Sequence, residues 1–265
     1  MTNATDSATP PPAPPRTVSR SRPARNGRIS WVVVALTSLA IVGYVIATYA
    51  QGSLATLAQN EAGLATAYAD RAAPVRAAFY AHIIFSALAL GIGPVQFAGT
   101  VRRRRPRLHR WVGRVFLISV AIGSVSSLIM ACFNTAAING FFGFGSLAVL
   151  WGWTAWRGWR AIRAGDHLSH QAWMIRCFAL TYAGVTLRLW LGILIGVQLP
   201  FAGPTVDAER VFDTAYAVLP FLCWLPNIVV AELLLRRRGL PSLALTPSRT
   251  ASSGTDRRPP GVSAR

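Results

Sequence analysis

Residues 31–50 read WVVVALTSLAIVGYVIATYA, an apolar run without a single charge. An α-helix rises about 1.5 Å per residue, so roughly 20 such residues are what a hydrocarbon layer demands. Runs of similar character recur at residues 79–101, 111–133, 136–156, 173–199 and 211–235. Backbone groups in lipid must be satisfied within the chain, which leaves helices as the economical solution for runs of this length. The pattern therefore predicts an all-α, polytopic transmembrane helical bundle of six spans over residues 31–235.

Composition agrees. The chain of 265 residues is 52% hydrophobic and 14% charged, against about 25% charged in ordinary soluble domains. Residues 1–30 and 236–265 are rich in Pro, Ser and Arg and predict disordered basic tails rather than further domains. The run at 31–50 exceeds the apolar core of about 7–15 residues usual in a signal peptide, so it reads as a retained anchor.

A formal net charge of +18 would suggest nucleic acid in a soluble protein. Its distribution argues otherwise. Arg16, Arg20, Arg22, Arg25 and Arg28 precede the first run, Arg102 to Arg105, Arg107 and Arg110 separate the second from the third, Arg157, Arg160 and Arg163 follow the fourth, and Arg236 to Arg238 follow the sixth. The alternate connections hold only Arg71, Arg76 and Arg210 against Glu61, Asp70, Asp207, Glu209 and Asp213. The positive-inside rule then puts both termini in the cytoplasm of a multi-pass protein of a bacterial inner or plasma membrane. Membrane lipids with anionic headgroups are the expected partners, and no specific nucleic acid is.

Cys132, Cys177 and Cys223 lie in or at the ends of apolar runs without close spacing, and read as small packing residues. Between the first two runs, Leu54, Leu57, Ala58, Glu61 and Leu64 approximate a helical stripe, which predicts one short interfacial helix ended by Pro74. Glycines recur in the second, third and fourth runs, where close helix approach supplies packing energy in lipid. Pro94 and Pro226 are expected inside the second and sixth spans as bends.

Polar residues inside apolar runs single out the candidate site. His82 is placed at the start of the second span on the outer side, whereas His109, His167 and His170 fall just before the third and fifth spans on the inner side. Imidazoles at matching depth can ligate iron, copper or zinc, which makes His109 and His170 candidate ligands for a metal or a haem b, with His167 behind them. Arg110, Arg114 and Arg176 would surround them with positive charge suited to an anionic ligand. Arg188 lies 15 residues past Trp173, roughly 22 Å along its helix. Arginine near mid-membrane costs about 2.5–3.5 kcal/mol on insertion scales, so Arg188 is expected to face the bundle, near His82 and with Tyr80 or Asp213. Glu232 is expected to neutralise Arg176 or Arg114, with Asn227 deeper in the same span.

Gly91 to Phe97 (GIGPVQF), Leu108 to Arg114 (LHRWVGR), His170-x-x-Trp-Met-x-Arg176, Leu187-Arg188 and Trp224-x-Pro-Asn with Glu232 together resemble the DUF2306 family of predicted bacterial membrane proteins. The resemblance implies a shared polytopic fold and carries no reaction or ligand with it. Three readings follow from the residues: a protein that binds a lipid or other anionic ligand or serves assembly, a haem- or metal-binding electron-transfer protein, and a small transporter of an anionic or amphiphilic solute. No nucleotide fingerprint, Ser/His/Asp arrangement or dense carboxylate cluster points to a soluble enzyme.

Overall fold

A computed structural model of the chain describes residues 25–60, 64–201 and 207–242. The described residues form helices throughout: α1 (Arg25–Tyr49), α2 (Leu54–Gln59), α3 (Ala65–Tyr68), α4 (Ala73–Phe97), α5 (Gly99–Arg104), α6 (Pro106–Ala131), α7 (Ala137–Arg163), α8 (His167–Thr181), α9 (Ala183–Gln198), α10 (Ala208–Leu222) and α11 (Leu225–Arg237), with a 3₁₀ turn at Leu199–Phe201. The protein is an all-α, multi-pass membrane bundle. Five stretches are long and apolar enough to cross a bilayer, namely Ile29–Tyr49, Ala73–Phe97, Pro106–Ala131, His167–Phe201 and Ala208–Arg237. The run at 136–156 falls in α7, 27 residues long and interspersed with tryptophans and glycines, which is not among those five. Of the tails expected at 1–30 and 236–265, residues 1–24 and 243–265 lie outside the described residues, whereas residues 25–30 belong to α1 and residues 236 and 237 to α11.

Helix ends follow local chemistry. Pro74 and Pro106 occupy the first turns of α4 and α6, where a missing amide proton costs nothing. Asp166 caps α8 by accepting from the Ser169 amide at 2.9 Å. The Ser169 hydroxyl and then this amide hold the exposed Asp166 carboxyl below its usual range. Asp207 caps α10 in the same way, accepting from the Arg210 amide.

Consecutive long helices run antiparallel, and glycines set how closely they approach. A side chain at Gly123 of α6 would strike the Trp151 ring of α7 at 2.9 Å, and one at Gly143 of α7 would strike the carbonyl carbon of Pro220 of α10 at 2.7 Å. Gly93 of α4 likewise makes room for the Phe178 and Phe116 rings. The core formed there contains Phe116, Val120, Trp151, Cys177, Leu180 and Cys223. Outside it, Leu36, Ile46, Ile118, Val125 and Val149 stay exposed, as a lipid-facing surface requires.

One end of the bundle is covered by a cap. Leu54, Leu57 and Tyr68 of α2 and α3 pack on Phe79 of α4 and Tyr49 of α1, with the Tyr68 and Phe79 rings stacked at 4.9 Å. The expected single interfacial helix is thus two short ones, and Glu61, placed on its stripe, lies outside the described residues. The opposite end carries α5 and the arginines that close α7 and α11.

Two spans are broken. Tyr182 divides α8 from α9, and Cys223–Trp224 divides α10 from α11. The prolines explain the second break: Pro220 sits inside α10 and Pro226 in the first turn of α11, so Pro226 starts a helix and does not bend the interior of one. Pro94 remains inside α4 as expected, and its carbonyl accepts from the Trp31 indole at 2.9 Å.

Candidate functional site

A cavity of about 210 Å³ lies in the cap half of the bundle, lined from α1, α4, α6, α7, α8, α9 and α10 and from α3 of the cap. Its polar members include Tyr49, Tyr68, His82, Ser86, Ser127, Thr181, Arg188 and Tyr216, with Asn134 just beyond α6. His82 is nine residues into α4 instead of at its start, because α4 begins at Ala73. Nδ1 of His82 lies 3.4 Å from the Gly123 carbonyl and 3.2 Å from the Ser86 hydroxyl. In the tautomer whose Nδ1 donates to this carbonyl, Nε2 keeps its lone pair.

Arg188 projects from α9 into the same space. Its Nη1 donates to the Gly184 carbonyl at 2.7 Å, and its guanidinium stands 5.4 Å from the centre of the Tyr44 ring. It is close enough to His82 and to Tyr49 for its charge to act on both. Among the described residues no Asp or Glu lines the cavity, and the salt bridge seen is Arg176–Glu232, elsewhere in the bundle. Tyr80 and Asp213, expected beside Arg188, are not part of this wall. Tyr80 instead accepts from the Leu54 amide at 2.9 Å and so anchors the cap, while Asp213 is exposed. Tyr49, Tyr216, Trp151 and Thr181 take their place, Trp151 donating its indole N–H to Thr181 at 2.9 Å. Sequence reasoning missed these four because they come from four different helices and share no spacing.

At the arginine end the polar residues are mostly satisfied by each other. Arg176, 3% exposed, donates through Nε and Nη2 to both Glu232 oxygens at 2.5 and 3.0 Å and through Nη2 to the Pro241 carbonyl at 3.2 Å. The Trp173 ring covers the guanidinium at 4.6 Å. Asn227 bridges the two helix breaks, its Nδ2 donating to the Ala179 and Cys223 carbonyls and to the Thr186 hydroxyl at 3.0–3.2 Å. Arg176, Glu232 and Asn227 therefore hold helices together through these bonds.

His109 and His170 stand close enough for a charge on one to act on the other. His170 Nδ1 donates to the Gly158 carbonyl at 2.8 Å, which leaves its Nε2 lone pair available. Nδ1 of His109 and Nε2 of Gln96 are buried without a hydrogen-bond partner. His167 opens α8 and is exposed, as are Arg110 and Arg114, and Arg114 lies over the exposed Trp111 ring at 5.4 Å. Among the described residues no group of three or more His, Cys, Asp or Glu side chains converges on a metal position. Cys177 and Cys223 are buried and free, and Cys132 is exposed and free.

A family profile described as a predicted membrane protein, DUF2306, matches residues 79–235, more than half of the chain. No curated protein and no solved structure matches.

Proposed function

The chain belongs to the DUF2306 family, and from that premise we propose that it is an integral membrane binding protein whose ligand is an organic anion seated in the cap-side cavity. The carrying observation is Arg188: a cation that faces a cavity with no acidic residue in its wall among the described residues. A desolvated guanidinium without a counterion is costly, and an anion that enters the cavity supplies one. His82 Nε2 adds an acceptor for a protic group on the same head. The volume falls below the roughly 300–1,000 Å³ of pockets for drug-sized ligands. It suits a small organic acid or the carboxylate head of an amphiphile. Equilibrium binding of an alkyl carboxylate and of its matched alcohol to the detergent-purified protein tests this. The acid should bind more tightly by tenfold or more on the order of, and Arg188→Leu should abolish the difference. Equal binding of acid and alcohol to the wild-type protein defeats the proposal.

The same reading assigns six spans, with α7 as the fourth, both termini in the cytoplasm and the cap outside. The antiparallel pairing of α7 with α6 and the arginine asymmetry support it. Cysteines introduced at residues 61 and 207 should react with an impermeant reagent in intact cells, and those at 104 and 237 should not; the opposite pattern inverts the assignment.

A second reading, transport of the same anion, is favoured by the facing breaks in α8–α9 and α10–α11, the arrangement discontinuous helices take around solute sites in transporters. Flux of the bound acid into proteoliposomes distinguishes transport from binding alone.

A further inference from the structure

At the arginine end the molecule has a second feature of its own. Between Gly99 and Arg163 the chain holds ten arginines, Arg102 to Arg105, Arg107, Arg110, Arg114, Arg157, Arg160 and Arg163, and no acidic residue. On the lipid-facing side a groove runs between α6 and α7, floored by Ser124, Ala148 and Gly152 and walled by Val125, Trp153 and Trp156.

Helical phase connects the groove to the arginines. From Leu128 in the groove, steps of four and three residues run back along one face of α6 through Ser124, Ala121, Leu117 and Arg114 to Arg110. On α7 the equivalent face runs from Val149 through Gly152 and Trp156 to Arg160 and Arg163. The helices are antiparallel, with Gly123 against Trp151 and Ser124 against Gly152. Counting from those pairs brings Arg114 and Arg160 to the same level, one on each side of the groove mouth. Their side chains are held against tryptophans. Arg160 lies over Trp156 at 5.0 Å, Arg163 over Trp159 at 5.8 Å and Arg114 over Trp111 at 5.4 Å. The three rings are themselves 41, 49 and 65% exposed, as tryptophan is at a membrane boundary.

We propose that this groove is a binding site for one anionic phospholipid of the leaflet at the arginine end. An acyl chain lies along the Gly152 and Ser124 floor, the glycerol region sits beside Trp156, and the phosphate is held between Arg114 and Arg160. Charge complementarity selects the occupant: the mouth offers guanidinium groups with no carboxylate beside them, and the floor below accepts hydrocarbon alone. A polyanion such as a nucleic acid would match the arginines and leave the groove unused.

Native mass spectrometry of the full chain, titrated with phosphatidylglycerol and with phosphatidylcholine, tests the site. The wild-type protein should retain one phosphatidylglycerol preferentially. The R114Q/R160Q double variant should lose about 30-fold in that preference, as two phosphate contacts imply, while R103Q/R104Q, on α5 away from the groove, should change it little. Val125→Trp alters a wall residue 63% exposed, so it intrudes on the acyl path without touching the core, and it should weaken lipid retention with every arginine in place. Equal losses from the two arginine doubles, unchanged retention in V125W, or displacement of the lipid by an oligonucleotide that binds V125W normally would each overturn the proposal. Wild-type elution and thermal unfolding of the variants confirm that folding is intact.

Discussion

Glu232→Leu removes one side of the buried ion pair at the arginine end. In the intact protein Arg176 directs two donors to the Glu232 carboxylate at 2.5 and 3.0 Å and a further bond to the Pro241 carbonyl at 3.2 Å. Without the carboxylate, a guanidinium on a residue 3% exposed retains one carbonyl and the face of Trp173. Removing one partner of a buried pair costs about 3–5 kcal/mol, because the remaining charge is desolvated without compensation. The ring contact is present before and after and offsets none of that loss. Thermal unfolding in detergent should show a fall in midpoint on the order of 10 °C. Replacing both partners by apolar residues of similar size, Arg176→Met with Glu232→Leu, removes the stranded charge and should recover most of the loss. A double variant as unstable as E232L would refute the reasoning, since the cost would then reside in helix packing and not in the uncompensated arginine.

Gly143→Ala should destabilise by about 1–3 kcal/mol, because the added methyl meets the backbone at Pro220 and backbone has little room to yield. Gly192→Ala, where nothing stands within 4 Å, should instead gain about 0.5–1 kcal/mol, and paired thermal melts check the contrast. Asn227→Leu should cost about 1–3 kcal/mol by leaving the Ala179 and Cys223 carbonyls short of a donor at the helix breaks; the same melts read it. Burial pushes the Tyr68 phenol up to about 12 from its ordinary 10.0. A raised folded pKa contributes stability that is whole below pH 10 and is lost as pH climbs toward 12. The thermal midpoint should therefore fall over that window, and by less in Tyr68→Phe than in the wild-type protein.

The helices were legible because lipid demands long uninterrupted apolar runs, and those runs are visible residue by residue. Their ends were less so. His82 was read as a helix start and lies well inside α4, since Pro74 rather than the onset of apolar character begins that helix. The breaks at Tyr182 and Cys223–Trp224 were invisible to hydropathy, because the residues on either side are equally apolar. The Arg176–Glu232 pairing followed from the cost of a lone buried charge, which leaves few acceptable partners in a chain this poor in acid. The cavity wall could not be read in this way: Tyr49, Trp151, Thr181 and Tyr216 meet only after four helices have packed.

Charge compensation is what separates the two arginines that look alike in the sequence, each set in an apolar span and each beside an aromatic ring. Arg176 has a carboxylate, a carbonyl and Trp173, so its positive charge is consumed in holding α8 to α11. Arg188 has a carbonyl of its own helix and Tyr44, and neither carries negative charge. Tyr49 and His82, which its charge also reaches, offer none either at neutral pH. A bundle that can place Glu232 within reach of one arginine has the means to neutralise the other. Among the described residues the wall that Arg188 faces holds no acid, which is a cost to the fold that an anion bound there would offset.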